Sequence, residues 1–181
     1  FTNKAAEEMK GRIALLVGER SRAVWMGTFH SLCARLLRSE CERIGFTRSF
    51  SIYDTEDSHS LIRSVMNGLG AAQHQVRPQA IRSRISLAKN HMIAPEELRQ
   101  SDSDPMTRLT ADVFEEYDRR LRRSNAMDFD DLLLKPLEIF ARYPDALERY
   151  QDRFAHILVD EYQDTNRVQY RLIRELAGKH R

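Results

Sequence analysis

The sequence predicts a predominantly helical α/β fold in which a parallel sheet is interrupted by an all-α insertion. Three observations predict it. Two strand-like pieces, Ala23–Phe29 and His156–Val159, stand near opposite ends of the chain. The residues between them repeat their apolar positions at helical spacing. The second piece runs straight into Asp160 and Glu161, the pattern of a buried parallel strand whose carboxyl end faces a ligand. With 181 residues, the chain suffices for one domain or a domain with an inserted subdomain.

Each element follows from local chemistry. Ala6, Met9, Ile13 and Leu16 mark a first helix, with Thr2 or Asn3 as its cap and Gly18 as its stop. The strand Ala23–Phe29 comes next. A second helix spans His30 to Ile44, with Cys33, Leu37, Cys41 and Ile44 on one side and Gly45 closing it. Phe50 to Tyr53 reads as a short extended piece. Asp54 or Thr55 caps a helix carrying Leu61, Ile62, Val65 and Met66, which Asn67-Gly68-Leu69-Gly70 breaks. Pro78 opens another, with Ile81, Ile85, Ala88 and Met92 in line, and Pro95 starts a short one. A longer helix covers residues about 106–124. Asp128 caps the next, through Leu132, Leu133 and Leu137, and Pro144 starts one more. After the strand His156–Val159, a last helix runs from about Arg167 to Ala177, capped by Asp164 or Asn166.

Composition narrows the class. Apolar residues at 41% supply a core, so global disorder is not expected. The net charge of +2 does not by itself argue for nucleic acid. Charge placement says more: Ser58 to Pro95 holds no Asp or Glu, while Arg63, Arg77, Arg82, Arg84 and Lys89 fall there. That stretch is either a face for duplex DNA or a solvated basic surface. Arg119, Arg120, Arg122 and Arg123 suit a helix C-terminus electrostatically. Cys33 and Cys41 fit neither a zinc site nor a disulfide framework and read as thiols in a reducing cytosol. No apolar run approaches the ~20 residues that span a bilayer, and a cytoplasmic location is expected.

The strand-end carboxylates carry the chemistry. In P-loop NTPases an Asp at this place holds Mg²⁺, which favours few carboxylates plus water and phosphate oxygens. An adjacent Glu can polarise the attacking water. The alternative is an Asp-Glu pair on the surface that caps a helix. Asp128, Asp130 and Asp131 read as a cap and an acidic first turn.

Four strings together resemble one family. They are Phe1-Thr2-Asn3-Lys4-Ala5-Ala6-Glu7-Glu8-Met9, Gly27-Thr28-Phe29-His30-Ser31, Met127-Asp128-Phe129-Asp130-Asp131-Leu132, and Val159 to Asn166. Their order and spacing resemble UvrD/Rep/PcrA-type DNA helicases of superfamily 1. The resemblance covers essentially the whole chain. It implies that residues 1–30 and 155–181 belong to a first RecA-like domain, the latter with the Walker B strand, and that 31–154 form its helical insertion. It implies ATP and Mg²⁺ as cofactors, with Asp160 holding the metal through water, Glu161 as catalytic base and Gln163 at the nucleotide. Asp164 and Gln169 match family positions too, as catalytic or as loop-organising groups.

The resemblance also implies single-stranded DNA and single-strand/duplex junctions as partners. Phe1 would stack on a base beside Thr2, Asn3 and Lys4, the alternative being a core Phe and a solvated Lys. Thr28, His30 and Ser31 would donate to backbone phosphates. As the alternative, Thr28 or Ser31 is a plain cap and Phe29 is core.

No Gly-x-x-x-x-Gly-Lys-Thr/Ser phosphate loop occurs in the chain. The resemblance puts that loop upstream of Phe1, and a second RecA-like domain with its arginine finger downstream. The segment alone is therefore expected to be inactive, as part of a 3′-to-5′ helicase of DNA repair or replication. Two rivals stand beside this reading: a subunit of a helicase–nuclease, and a non-catalytic DNA-binding or scaffolding module.

Overall fold

A computed structural model describes residues 3–71 and 76–180. Among them the chain is mostly helical, with a small parallel sheet. The helices are α1 (Asn3–Val17), α2 (Phe29–Glu40), α3 (Thr55–Gly68), α4 (Pro78–Asn90), α5 (Pro95–Ser101), α6 (Pro105–Arg123), α7 (Phe129–Arg142), α8 (Pro144–Arg153) and α9 (Arg167–Leu176). The strands are β1 (Ser51–Tyr53) and β2 (Ala126–Asp128), paired in parallel with Ile52 opposite Met127.

Caps explain where the helices start. Asp54 Oδ1 accepts from the N–H groups of Glu56 (2.8 Å) and Asp57 (2.9 Å), and Asp57 reaches back to the N–H of Asp54. Asp104 accepts from the Thr107 N–H, and Asn166 from that of Gln169. Proline opens α4, α5, α6 and α8, where its missing N–H costs nothing. Gly45, at φ +82°, ends the 3₁₀ turn that extends α2.

Strand β2 divides the interior. Successive side chains of a strand point to opposite faces. Met127 joins a core of α2, α7, α8 and α9, including Leu37, Cys41, Phe50, Ile139 and Leu172. Ala126 joins a second core of α3, α4 and α6, including Ile62, Val65, Ile81, Ile85 and Tyr117. Asn125, left-handed at φ +48°, closes the junction. Its Oδ1 accepts from the Thr47 N–H (2.8 Å) and its backbone oxygen from the Ser51 N–H (2.9 Å).

Both long-range strand expectations are corrected. Ala23–Phe29 contains the end of a 3₁₀ run (Gly18–Ala23) and irregular backbone. Trp25 pins it by side-chain packing, with Arg35 over its ring at 4.1 Å and Phe154 edge-on at 5.2 Å. His156–Val159 is irregular as well; Ile157 and Val159 are half-buried and Leu158 is 97% exposed. A strand needs a neighbour for its N–H and C=O groups, and among the described residues neither segment has one. The parallel pair forms instead at two three-residue pieces flanking α3 to α6. Leu15 and Leu16, at 89% and 83% exposure, leave α1 with no buried face among the described residues.

Lys89 is a second correction. Read as part of a basic face, it is only 2% exposed. Its Nζ donates to Asp128 Oδ2 (2.8 Å) and Asp131 Oδ1 (3.0 Å), with Asp118 at 3.2 Å. Tyr117 Oη also donates to Asp128 Oδ2 (3.0 Å). The cluster bolts the end of α4 onto the start of α7. Arg120 and Arg122 are engaged as well: Arg120 with Glu116 and the Ser64 hydroxyl, Arg122 with the carbonyl of Ile44. Cys33 and Cys41 are buried free thiols, and burial pushes the Cys33 thiol up to about 12.

Candidate nucleotide and DNA site

Asp160 and Glu161 lie in an exposed turn between the irregular segment His156–Val159 and a 3₁₀ turn (Tyr162–Asp164). Glu161 is left-handed, at φ +48° and ψ +45°. A non-glycine residue holds that conformation at a cost of about 1–3 kcal/mol, and only where its surroundings fix it. Here they do. The Glu161 N–H donates to Asp160 Oδ1 (3.0 Å), the Asp164 N–H to the Glu161 carbonyl (2.9 Å), and Gln163 Nε2 to Glu161 Oε2. Both residues are exposed to solvent, one oxygen of Asp160 engaged by backbone.

This donor set is short. Among the described residues no group of three or more His, Cys, Asp or Glu side chains could cage a metal. Two adjacent carboxylates fit a hard cation that keeps water and phosphate oxygens around it, as Mg²⁺ does. Gln169 is spent structurally: its Oε1 accepts from the Asn166 N–H (3.1 Å), completing the cap of α9. Of the two candidate caps it is Asn166, not Asp164, that serves.

The candidate DNA residues divide. Phe1 and Thr2 lie outside the described residues. Asn3 begins α1, and Lys4 is exposed on its first turn. Thr28 caps α2: its Oγ1 accepts from the Ser31 N–H (3.3 Å), and the Ser31 hydroxyl donates to the Thr28 carbonyl (2.9 Å). Gly27 permits that approach, because a Cβ there would stand 2.4 Å from Ser31 Oγ. Phe29 is half-buried against the α2–α7 core. His30 is half-buried, its ring edge-on to Phe129 at 5.8 Å. Burial lowers its pKa, with the Asp130 charge opposing.

The UvrD/REP helicase N-terminal domain matches residues 1–181. The chain belongs to this family. Similar proteins include the ATP-dependent DNA helicase PcrA of Staphylococcus epidermidis, 44% identical over 179 residues, covering 99% of this chain and 25% of that protein. The ATP-dependent DNA helicase UvrD1 of Mycobacterium tuberculosis is 45% identical over 183 residues, covering 99% and 24%. PcrA of Staphylococcus aureus is 42% identical over 179 residues, covering 99% and 24%. The chain thus spans about a quarter of the length of these relatives.

In this UvrD/REP N-terminal domain, sequence reasoning missed Asn90, which links Asn166 to Asp130. Asn166, two residues past Asp164, donates from Nδ2 to Asn90 Oδ1 (3.0 Å). Asn90 Nδ2 donates to the Ser86 carbonyl (2.8 Å) and Asp130 Oδ1 (3.1 Å). Asp130 neighbours Phe129, which packs on His30. The one signal was an amide-bearing residue at a helix end beside a Lys on the apolar face. No helix among the described residues is long and apolar enough to cross a membrane.

Proposed function

We propose that this chain is part of an ATP-dependent 3′-to-5′ DNA helicase that moves on single-stranded DNA and unwinds duplexes at single-strand/duplex junctions, in cytoplasmic DNA repair or replication. Residues 1–30 and 155–181 belong to its first RecA-like domain, and 31–154 form the helical insertion. The observation that carries the reading is the fixed left-handed Glu161 beside Asp160, in a chain whose relatives are named ATP-dependent DNA helicases.

Asp160 would hold Mg²⁺ through water, one of its oxygens being engaged by the Glu161 N–H. Glu161 orients and deprotonates the water that attacks the γ-phosphate of ATP, its carboxylate held by Gln163. When bound, Mg²⁺ would supply charge neutralisation at the phosphates. The phosphate loop that cradles them is absent from this sequence, so hydrolysis requires the remainder of the polypeptide, including a second RecA-like domain. Phe1, Thr2, Asn3 and Lys4 grip one stretch of the strand by stacking and phosphate contact. Thr28, Phe29, His30 and Ser31 form the second grip; the start of α2 turns backbone N–H groups toward phosphate without reading bases.

The test is ATP hydrolysis by the intact polypeptide carrying this segment, with and without oligothymidylate. Stimulation by about 10-fold or more is expected, the scale of a site-to-site coupling of 1–3 kcal/mol. Turnover indifferent to DNA would overturn the reading.

A further inference from the structure

Asn90 lies at the last position of α4, far in sequence from both candidate sites, yet it touches the machinery of each. Its Oδ1 accepts from Asn166, the residue that caps α9 and ends the loop carrying Glu161. Its Nδ2 donates to Asp130, in the first turn of α7. The neighbouring residue of that turn, Phe129, rests edge-on against His30 in the first turn of α2. A line of contacts, passing through the backbone between Asp130 and Phe129, thus runs from the cap of α9 to the first turn of α2.

The anchor for this relay is rigid. Lys89, one residue before Asn90, holds α4 against Asp128 and Asp131 on either side of Asp130. Within that frame Asn90 is the side chain that bonds both Asn166 and Asp130, accepting from the one and donating to the other.

We infer that Asn90 is a positioning residue that couples the nucleotide loop to the DNA grip, acting through Asp130 and the Phe129–His30 contact. This rests on the helicase reading above. Asn90 touches neither nucleotide nor DNA; it fixes how the start of α7, and with it His30, sits for each position of the Asn166 cap. Removing it uncouples the two sites without dismantling either.

The experiment is a double-mutant cycle in the intact polypeptide, read as the ratio of ATP turnover with and without oligothymidylate. Asn90→Ala and Asp130→Ala are each expected to lower that ratio by about 10-fold. The double variant should fall no further, because residues in one chain of contacts are non-additive. Turnover without DNA should stay at the wild-type value for Asn90→Ala. Asp130→Asn keeps an oxygen acceptor for Asn90 and should retain the wild-type ratio; Asp130→Leu, which has no acceptor, takes the place of Asp130→Ala in the cycle if that variant does not fold. An unchanged ratio in Asn90→Ala overturns the inference. So does an additive double variant, or a fall of basal turnover that matches the fall with DNA. A wild-type protein that DNA does not stimulate would sink the helicase reading itself, which separates the two failures.

Discussion

Glu161→Gln in the intact polypeptide is expected to lower DNA-stimulated kcat for ATP by about 10²–10⁴-fold, the usual worth of a general base. Affinity for single-stranded DNA and KM for ATP should change little. The substitution is chosen because it removes the base and little else. The introduced amide keeps a carbonyl oxygen where the Glu161 carboxylate accepts from Gln163. The backbone N–H at this position still donates to Asp160, and the backbone carbonyl still accepts from Asp164. The left-handed turn thus persists, and the loss falls on proton transfer alone. Stopped-flow phosphate release checks it. A variant with near-wild-type turnover would remove Glu161 from the chemistry and turn the Asp160–Glu161 pair into a surface feature.

The second large effect is on stability. Lys89→Met is expected to destabilise the helical region by about 3–5 kcal/mol, because it leaves Asp128 and Asp131 buried without their cation. Met fills the stem of the Lys side chain beside Phe114 and Tyr117, so the loss reports charge rather than cavity. Amide hydrogen exchange in α4 and α7 reads it locally. Unchanged protection there would show that the cluster holds nothing.

The cluster also makes stability depend on pH. Burial and the Asp128 charge push the Asp131 carboxyl from the ordinary 3.8 up to about 7. Between those values the folded protein keeps a proton that the unfolded chain has released. Stability from this group is therefore greatest at the acid end of the window and falls as pH rises through it. Asp128 behaves oppositely: burial opposes ionisation, but Lys89 wins and holds its pKa below the usual range. Its contribution is lost only as pH falls below about 4. In Lys89→Met, protonation of Asp131 offsets part of the damage, so the destabilisation should be larger near pH 8 than near pH 5.

Local chemistry was legible in the sequence and pairing was not. Asp54, Asp128 and Asn166 cap helices because each needs only the N–H groups two or three residues ahead. Pro78, Pro95 and Pro144 open helices by their own geometry. Strands depend on partners, which no local pattern names. Ala23–Phe29 opens with an apolar run, Ala23 to Met26, that suggests a strand, and has no ladder among the described residues. Ala126–Asp128, three residues leading into a capping Asp, pairs with β1 across an intervening run of helices. Burial of Lys89 was half legible. It falls on the apolar face of α4 with Ile81, Ile85 and Ala88, and its partners are the two Asp residues of a capping box. The carboxylates of the candidate site were found because they are adjacent in sequence. The Asn166–Asn90–Asp130 link was not, because its members are brought together only by the packing of α4 against α7 and by the Asn166–Asn90 contact at the start of α9.

The measurement that tests the central claim most directly is ATP- and magnesium-dependent strand displacement by the intact polypeptide, on duplexes carrying either a 3′ or a 5′ single-stranded tail. A 3′-to-5′ helicase displaces the strand from the 3′-tailed duplex and leaves the 5′-tailed one paired, and Glu161→Gln abolishes the displacement while still binding the tail. Displacement of neither duplex, with tail binding intact, would contradict the account and make the chain part of a DNA-binding module without motor activity.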